Sequence, residues 1–446
     1  MPREKFAFVR IGFVVLLVAC AATMLNQPAH AQSFSVIHNF AGGPDGDEPA
    51  YGLTIDAAGN IYGSTFEGDE GTGTIYKLRY HNSVWQLAPL YVFTGGPGSP
   101  AAVPYAGVII ARDGTLFGTT GYGGEGSCAT WGGTTGCGTV FRMRPRVTAC
   151  PAAICYWQET TINLFDGGSG GSTPYGARPI FDSAGNLYGT TYAGGGGNCQ
   201  GGCGLVYELT PSGGGWTETV LYSFTGTAGD GAFPWSGVIL DQAGNLYGTT
   251  EFGGTYGYGT IYELSRSGSG WTETILYNFQ GQQDGAWPFS GLIFDPAGNL
   301  YGATTSAGSG NGGTIFQLSP GSSGWTLQTL TSFTRQPGEL AGGPVATPIM
   351  DAAGNIYAAT YGDGAYGLGS VVKLHRSNGG YTTISLHDFT GPDGLYPRSN
   401  LVLDANGNIY GMAASGGANG RGTVFEITLL SERPQAGGAK DTHTGK

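Results

Sequence analysis

The sequence predicts an all-β fold, a seven-bladed β-propeller of four-stranded antiparallel blades. Three observations point there. The composition is rich in glycine and aromatic residues and poor in charge, a unit of about fifty residues recurs along the chain, and a solitary leading strand matches one missing from the last unit.

Glycine supplies 85 of the 446 residues, while charged residues make up 11% and aromatic residues 12%. A long-helix or coiled-coil chain needs Ala, Glu, Lys and Leu in bulk, and collagen needs a strict three-residue glycine period; neither pattern is present. The aromatic content offers enough apolar surface to bury, which argues against disorder. An all-β chain with many tight turns remains.

The repeat sets the architecture. A glycine followed three residues later by Tyr or Phe occurs as Gly59/Tyr62, Gly114/Phe117, Gly185/Tyr188, Gly244/Tyr247, Gly298/Tyr301, Gly354/Tyr357 and Gly407/Tyr410. Successive glycines stand 55, 71, 59, 54, 56 and 53 residues apart, the long interval holding an insertion around Cys150 and Cys155. Six units place Asp three residues before the glycine, from Asp56 to Asp404, with Ala111 as the exception, and six place Asn directly after it, with Thr115 as the exception. Each unit reads as four short strands. In the fifth, residues 291–295 are an apolar run, Asp-Pro-Ala-Gly-Asn is a turn, residues 300–304 form a second strand, 313–318 a third, and 325–333 alternate with period two as a half-exposed fourth.

The outer-strand phenylalanine appears as Phe40, Phe93, Phe165, Phe224, Phe279, Phe333 and Phe389, so its first copy precedes the first complete unit. No fourth strand follows residues 422–427. The segment from Phe34 to Phe40 therefore completes the blade begun by residues 399–427, an offset that closes a ring and removes a free sheet edge. The propeller is expected over residues 34–430, with a disordered polar tail at 431–446.

Residues 1–31 read as a signal peptide: Arg3, Lys5 and Arg10, an apolar run from Ile11 to Leu25, and Ala29-His30-Ala31 before the cleavage point. Leu17-Val18-Ala19-Cys20 offers a second processing route, a lipidated Cys20. No other stretch is long and apolar enough to span a bilayer, so the mature chain is expected to have no transmembrane segment. The expected locations are secreted, periplasmic or cell-surface. The formal charge of −12 becomes more negative without the leader, which excludes nucleic acid as a natural partner. Six cysteines beyond the leader fall in close pairs, Cys128 with Cys137, Cys150 with Cys155 and Cys199 with Cys203, the pattern of local disulfides in an exported chain. No pair has zinc-site spacing beside histidine, and neither metal nor cofactor is expected.

Segments such as Asp241-Gln-Ala-Gly-Asn-Leu-Tyr-Gly-Thr-Thr250, Gly257-Tyr-Gly-Thr-Ile-Tyr262 and Trp271-Thr-Glu-Thr-Ile-Leu-Tyr-Asn-Phe279 resemble the GloVer tandem repeat of bacterial choice-of-anchor proteins. The resemblance spans nearly the whole mature chain. It implies an exported, repeat-built bacterial protein whose relatives use varied attachment signals and whose molecular activity is not established. The C-terminus here lacks the apolar tail or sorting motif of anchored members, so any attachment would rest on Cys20, while ordinary cleavage before Gln32 is the favoured route.

The repeated Asp and Gly suit a turn in which the carboxylate bonds backbone amides, and two oxygen side chains are too few for a calcium loop. The three aromatic series hold twenty rings, with Val372 as the one apolar substitute; burial worth roughly 2 kcal/mol each explains them as core. Candidate ligand contacts lie instead where the chain passes from an outer strand to the next inner strand. Pro49, Pro104, Pro174, Pro234, Pro288, Pro344 and Pro397 mark these loops, and the next residue is Tyr105, Tyr175, Trp235 or Phe289 in four blades but Ala50, Val345 or Arg398 in the others. Asp230, Asp284 and Asp393, with Asp45, begin Asp-Gly pairs in the same loops. Packing between neighbouring loops is the competing reading of the rings, and turn formation that of the carboxylates. The loops after the second strands add Phe66, Glu67, Tyr122, Tyr192, Phe252, Tyr256, Tyr258, Tyr361 and Tyr366. Aromatic faces beside polar groups suit a polar, ring-shaped ligand such as a glycan.

Enzymatic signals are sparse. His38 and His387 occupy the strand position of Tyr222 and Tyr277, and no nucleophile elbow, metal-binding His pair or phosphate loop occurs, so no catalytic residue is assigned. The sequence thus predicts a monomeric binding or surface-scaffold module whose partner is a polysaccharide or a cell-surface protein. The alternative is a carbohydrate-active enzyme, a glycoside hydrolase or lyase, using channel-mouth carboxylates such as Asp230 and Asp284.

Overall fold

Seven antiparallel sheets of four strands form the blades of a propeller, in the order the repeat predicts. The structure is a computed structural model and describes residues 32–49, 51–68, 72–94, 101–124, 126–131, 134–146, 156–227, 229–268, 270–335 and 341–429. The leader with Cys20, the pair Cys150 and Cys155, and the tail from 431 lie outside the described residues. Residues Phe34–Ile427 make up one unit.

Blade 4 typifies the others. Ile239–Leu240 is its inner strand, followed outward by Leu246–Thr250, Thr260–Ser267 and Gly270–Asn278. In six blades the turn after the inner strand is built by the repeated aspartate, while blade 2 has Ala111 there and Asp113 accepts the Thr115 amide. In blade 1, Asp56 Oδ1 accepts the Ala58 and Asn60 amides at 3.0 and 2.9 Å, while Oδ2 accepts the Asn60 side chain at 2.7 Å and the Tyr62 hydroxyl at 3.2 Å. Gly59 closes this turn at φ 79°, a conformation that favours glycine. The carboxylate oxygens are thus satisfied inside the turn, and the aromatic of the second strand is tied to it.

A second rule sets blade packing. The glycine in each second strand sits opposite the aromatic of the third: Gly63 faces Tyr76, Gly118 faces Phe141, and Gly302 faces Phe316. The ring lies over the glycine so closely that a Cβ on Gly302 would stand 2.7 Å from Phe316 Cζ. Blade 6 breaks both halves together, with Ala358 facing Val372, so lost ring volume is exchanged for an added methyl. All twenty rings of the three series are buried, as is Val372.

Blades join through the outer-strand phenylalanine, which meets the next blade's third-strand ring edge to face, except that Phe333 packs with Val372 of blade 6. Phe93 lies 5.5 Å from Phe141, Phe224 5.1 Å from Tyr262, and Phe279 5.4 Å from Phe316. The same contact links Phe40 to Tyr76 at 5.3 Å. Phe40 follows the leading strand Gln32–Asn39, which pairs with Thr423–Leu429 as the outer strand of blade 7. The first and last blades are therefore joined as the offset requires. Disulfides link Cys128 to Cys137 and Cys199 to Cys203. Among the described residues no helix is long and apolar enough to cross a membrane.

Candidate functional site

The loops that enter the inner strands share an unexpected backbone feature. The residue before proline has positive φ in six blades: Glu48 52°, Val103 61°, Thr173 52°, Phe233 59°, Trp287 58° and Tyr396 57°. Left-handed conformations are uncommon for bulky or β-branched residues, and a following proline restricts the residue before it further, so each position carries strain of order 1 kcal/mol. Neighbouring loops hold it in place. The Val103 amide donates to Thr72 O at 2.8 Å, and its carbonyl accepts the amides of Tyr105 and Gly121, both at 3.0 Å. Thr173 does the same with Cys137 O and the amides of Tyr175 and Tyr192. The kink places the residue after proline at the mouth of the central channel.

There the four predicted rings come together. Tyr105 lies 5.1 Å from Tyr175, Tyr175 5.3 Å from Trp235, and Trp235 5.1 Å from Phe289. Tyr51 joins at 6.1 Å from Tyr105 and 6.2 Å from Trp235, and Tyr192 reaches Trp235 at 5.5 Å. All six rings are half-buried, so they pack on one another and keep a face or edge in solvent. Burial foremost, with neighbouring tyrosines, raises the Tyr105 and Tyr175 hydroxyls well above the usual phenol range, so both remain neutral hydrogen-bonding groups. Tyr51, Trp235 and Phe289 line one end of a cavity of about 320 Å³ that continues down the channel. Beside Tyr51 and Tyr105, Arg398 pairs with Glu48 at 2.8 Å and lies over the Tyr361 ring at 5.3 Å.

The predicted carboxylates lie apart from these rings, and none lines the cavity. Asp230 Oδ2 accepts the Thr225 amide at 2.7 Å and its hydroxyl at 2.5 Å. Asp284 Oδ2 accepts the Gln280 amide at 2.7 Å and the Tyr277 hydroxyl at 3.1 Å. Asp393 accepts from Thr390 and from His387 Nε2, the latter at 2.8 Å, as Asp45 does from His38 at 3.0 Å. Each side chain thus caps its own loop and reaches back to the outer strand. The second loop set divides similarly: Phe66 and Tyr122 are core, whereas Tyr256, Tyr258 and Tyr366 are exposed.

One carboxyl near the mouth was not singled out by sequence reasoning. Glu251, 6% exposed, occupies the position held by Tyr192 one blade earlier. Burial pushes its carboxyl up to about 7, against a hydrogen bond from Tyr192 that favours ionisation. Its Oε2 has no partner among the described residues. The signal was available: Glu251 is the one acidic residue at this repeat position. Glu273, on the outer strand, is also pushed up to about 7 by burial and then by Asp230, and accepts the Tyr222 hydroxyl at 3.3 Å.

Fold and site together define a β-propeller repeat protein with an aromatic-rimmed central channel. The chain belongs to the Gloeobacter/Verrucomicrobia repeat family, whose model matches residues 127–346 and 326–445. No curated protein matches the sequence. Among solved structures the chain is similar to an ulvan lyase, a polysaccharide lyase bound to GlcA(1-4)Rha3S, at 13% identity and TM-score 0.51, covering 89% of this chain and 96% of that one. It is also similar to a protein from Lactobacillus plantarum at 14% identity and TM-score 0.48, covering 83% and 94%, and to a luciferin-regenerating enzyme at 11% and 0.41, covering 90% and 96%. These identities carry the fold alone.

Proposed function

We propose that this protein is an exported binding module that captures a glycan at the channel mouth. The supporting observation is the convergence of Tyr51, Tyr105, Tyr175, Trp235 and Phe289, held half-exposed by strained loops around a cavity. Rings that served only the core would be covered, as the twenty repeat rings are. Sugar rings offer apolar faces for stacking and hydroxyls for the tyrosines at the rim. The leader-like N-terminus and local disulfides support export, and fractionation of cells with and without Cys20 tests lipid attachment. Binding is tested on a polysaccharide array with the wild type and with Trp235→Ala and Phe289→Ala. Loss of at least about tenfold in affinity is expected, since truncating a central aromatic anchor commonly removes that much. Undiminished binding by both folded variants would falsify the proposal.

A second reading, a carbohydrate-active enzyme, draws on Glu251. A carboxyl raised to about 7 beside a polar aromatic mouth suits general acid chemistry. It predicts time-dependent product release from a polysaccharide that stops in Glu251→Gln. Release that persists in Glu251→Gln, or no release at all, removes this reading.

A further inference from the structure

Below the mouth the channel wall is apolar. The inner-strand residue opposite each repeat aromatic is Thr54, Ile109, Ile180, Ile239, Ile293, Ile349 or Val402 in blades 1 to 7. Thr54 is the single polar member. In six blades this residue follows the loop proline by five positions, whereas Ile180 follows Pro174 by six. Blade 3 therefore accommodates an extra residue just above the isoleucine ring, and the segment carries Arg178.

Arg178 lines the cavity, and its Nη2 donates to Thr54 Oγ1 at 2.5 Å. That bond fixes the guanidinium toward the one polar point of the ring. Its Nε is cut off from bulk solvent and has no hydrogen-bond partner among the described residues. Burial alone lowers its pKa to about 10, with no acidic neighbour acting on it. Three other polar side chains of the lining are already engaged: Ser236 with Thr249 at 3.3 Å, Thr347 with the Gly291 amide at 2.9 Å, and Asn400 with the Leu53 amide at 3.0 Å. A chain with a net charge of −12 thus keeps an uncompensated cation in an apolar channel.

We propose that Arg178 anchors a small organic carboxylate inside the central channel. A carboxylate matches the planar guanidinium, whose remaining terminal N–H groups can donate parallel hydrogen bonds to its two oxygens. The apolar wall disfavours a strongly hydrated inorganic anion and suits an apolar or ring-shaped body, which the cavity of about 320 Å³ accommodates. This site lies in the same cavity whose other lining includes Tyr51, Trp235 and Phe289, so it adjoins the proposed glycan surface, but it does not require that surface to be occupied.

The test is a thermal-shift and calorimetric titration of the full-length protein with benzoate, phenylacetate and glucuronate, each beside its neutral counterpart (benzamide, phenylacetamide, glucose), and with sulfate and phosphate. At least one carboxylate is expected to bind ten times more tightly than its neutral partner and to raise the melting temperature. Affinity should fall at least tenfold in Arg178→Gln, and also in Arg178→Lys, which keeps the charge without the planar fork. The wild-type comparison stands even where a variant fails to fold. Equal binding of every acid and its neutral counterpart, binding confined to sulfate or phosphate, or carboxylate binding unchanged in a folded Arg178 variant would each overturn the assignment.

Discussion

Replacing Gly302 with Ala and Phe316 with Val, singly and together, tests the packing rule of the blades. In Gly302→Ala the new Cβ would lie 2.7 Å from Phe316 Cζ and 3.0 Å from Leu292 Cδ2. The Phe316 ring is fully buried and held by Phe279 at 5.4 Å, so it has little room to retreat. Overpacking of this kind costs roughly 1–3 kcal/mol. Phe316→Val leaves a cavity and costs about 2–4 kcal/mol, somewhat less than truncation to Ala. Together they reproduce the Ala358/Val372 pair of blade 6, in which the methyl occupies space the ring has left. The double variant should therefore be more stable than the sum of the singles by at least about 1 kcal/mol. Urea midpoints at constant slope measure the cycle. Additive losses, or a double variant worse than the sum, would refute the reasoning.

Three further outcomes follow from the same structure. Glu251 has a folded pKa raised from 4.5 to about 7, so its contribution is complete below 4.5 and disappears as pH rises through 7, about 3 kcal/mol in all. Glu251→Gln should flatten the stability profile between pH 5 and pH 8, as followed by melting temperature; an unchanged slope counts against a buried, neutral carboxyl. Asp295 shows the opposite sign. Burial raises its pKa, but hydrogen bonds from Asn299, Tyr301 and Ala297 outweigh it, so the net shift is downward and its stabilisation is lost as pH falls through the lowered folded value. Asp295→Asn should cost about 1 kcal/mol at neutral pH, with the difference vanishing at strongly acid pH. Deleting residues 32–40 removes the outer strand of blade 7 and the Phe40–Tyr76 contact. It should lower the melting temperature sharply and leave an exposed sheet edge that self-associates in size-exclusion chromatography; a monomer melting at the parent temperature speaks against closure through this strand.

The ring was legible because its determinants are local and repeated. Asp56, Gly59 and Tyr62 form one turn unit, and five further copies, with Ala111, Gly114 and Phe117 as the variant in blade 2, leave few architectures open. The displaced Phe40 carried the closure. The channel mouth was legible only in part. Counting from proline located Tyr105, Tyr175, Trp235 and Phe289, but the positive φ of Val103 or Thr173 is imposed by hydrogen bonds from other loops and leaves no mark on residue type. The Asp-Gly carboxylates turned outward because outer-strand partners such as Tyr277 and His387 stand within reach, a relation spread over six or seven residues. Arg178 was hidden in a single-residue change of spacing, whose consequence depends on the inner-strand register.

The central claim, that the mouth is a contact surface, is tested most directly by hydroxyl-radical footprinting with and without a polysaccharide identified on the array. Protection concentrated on Tyr51, Tyr105, Tyr175, Trp235 and Phe289, with Tyr80 and Tyr366 oxidised equally in both states, is the predicted result. Protection of Tyr80 or Tyr366 with the five mouth rings unaffected would contradict it.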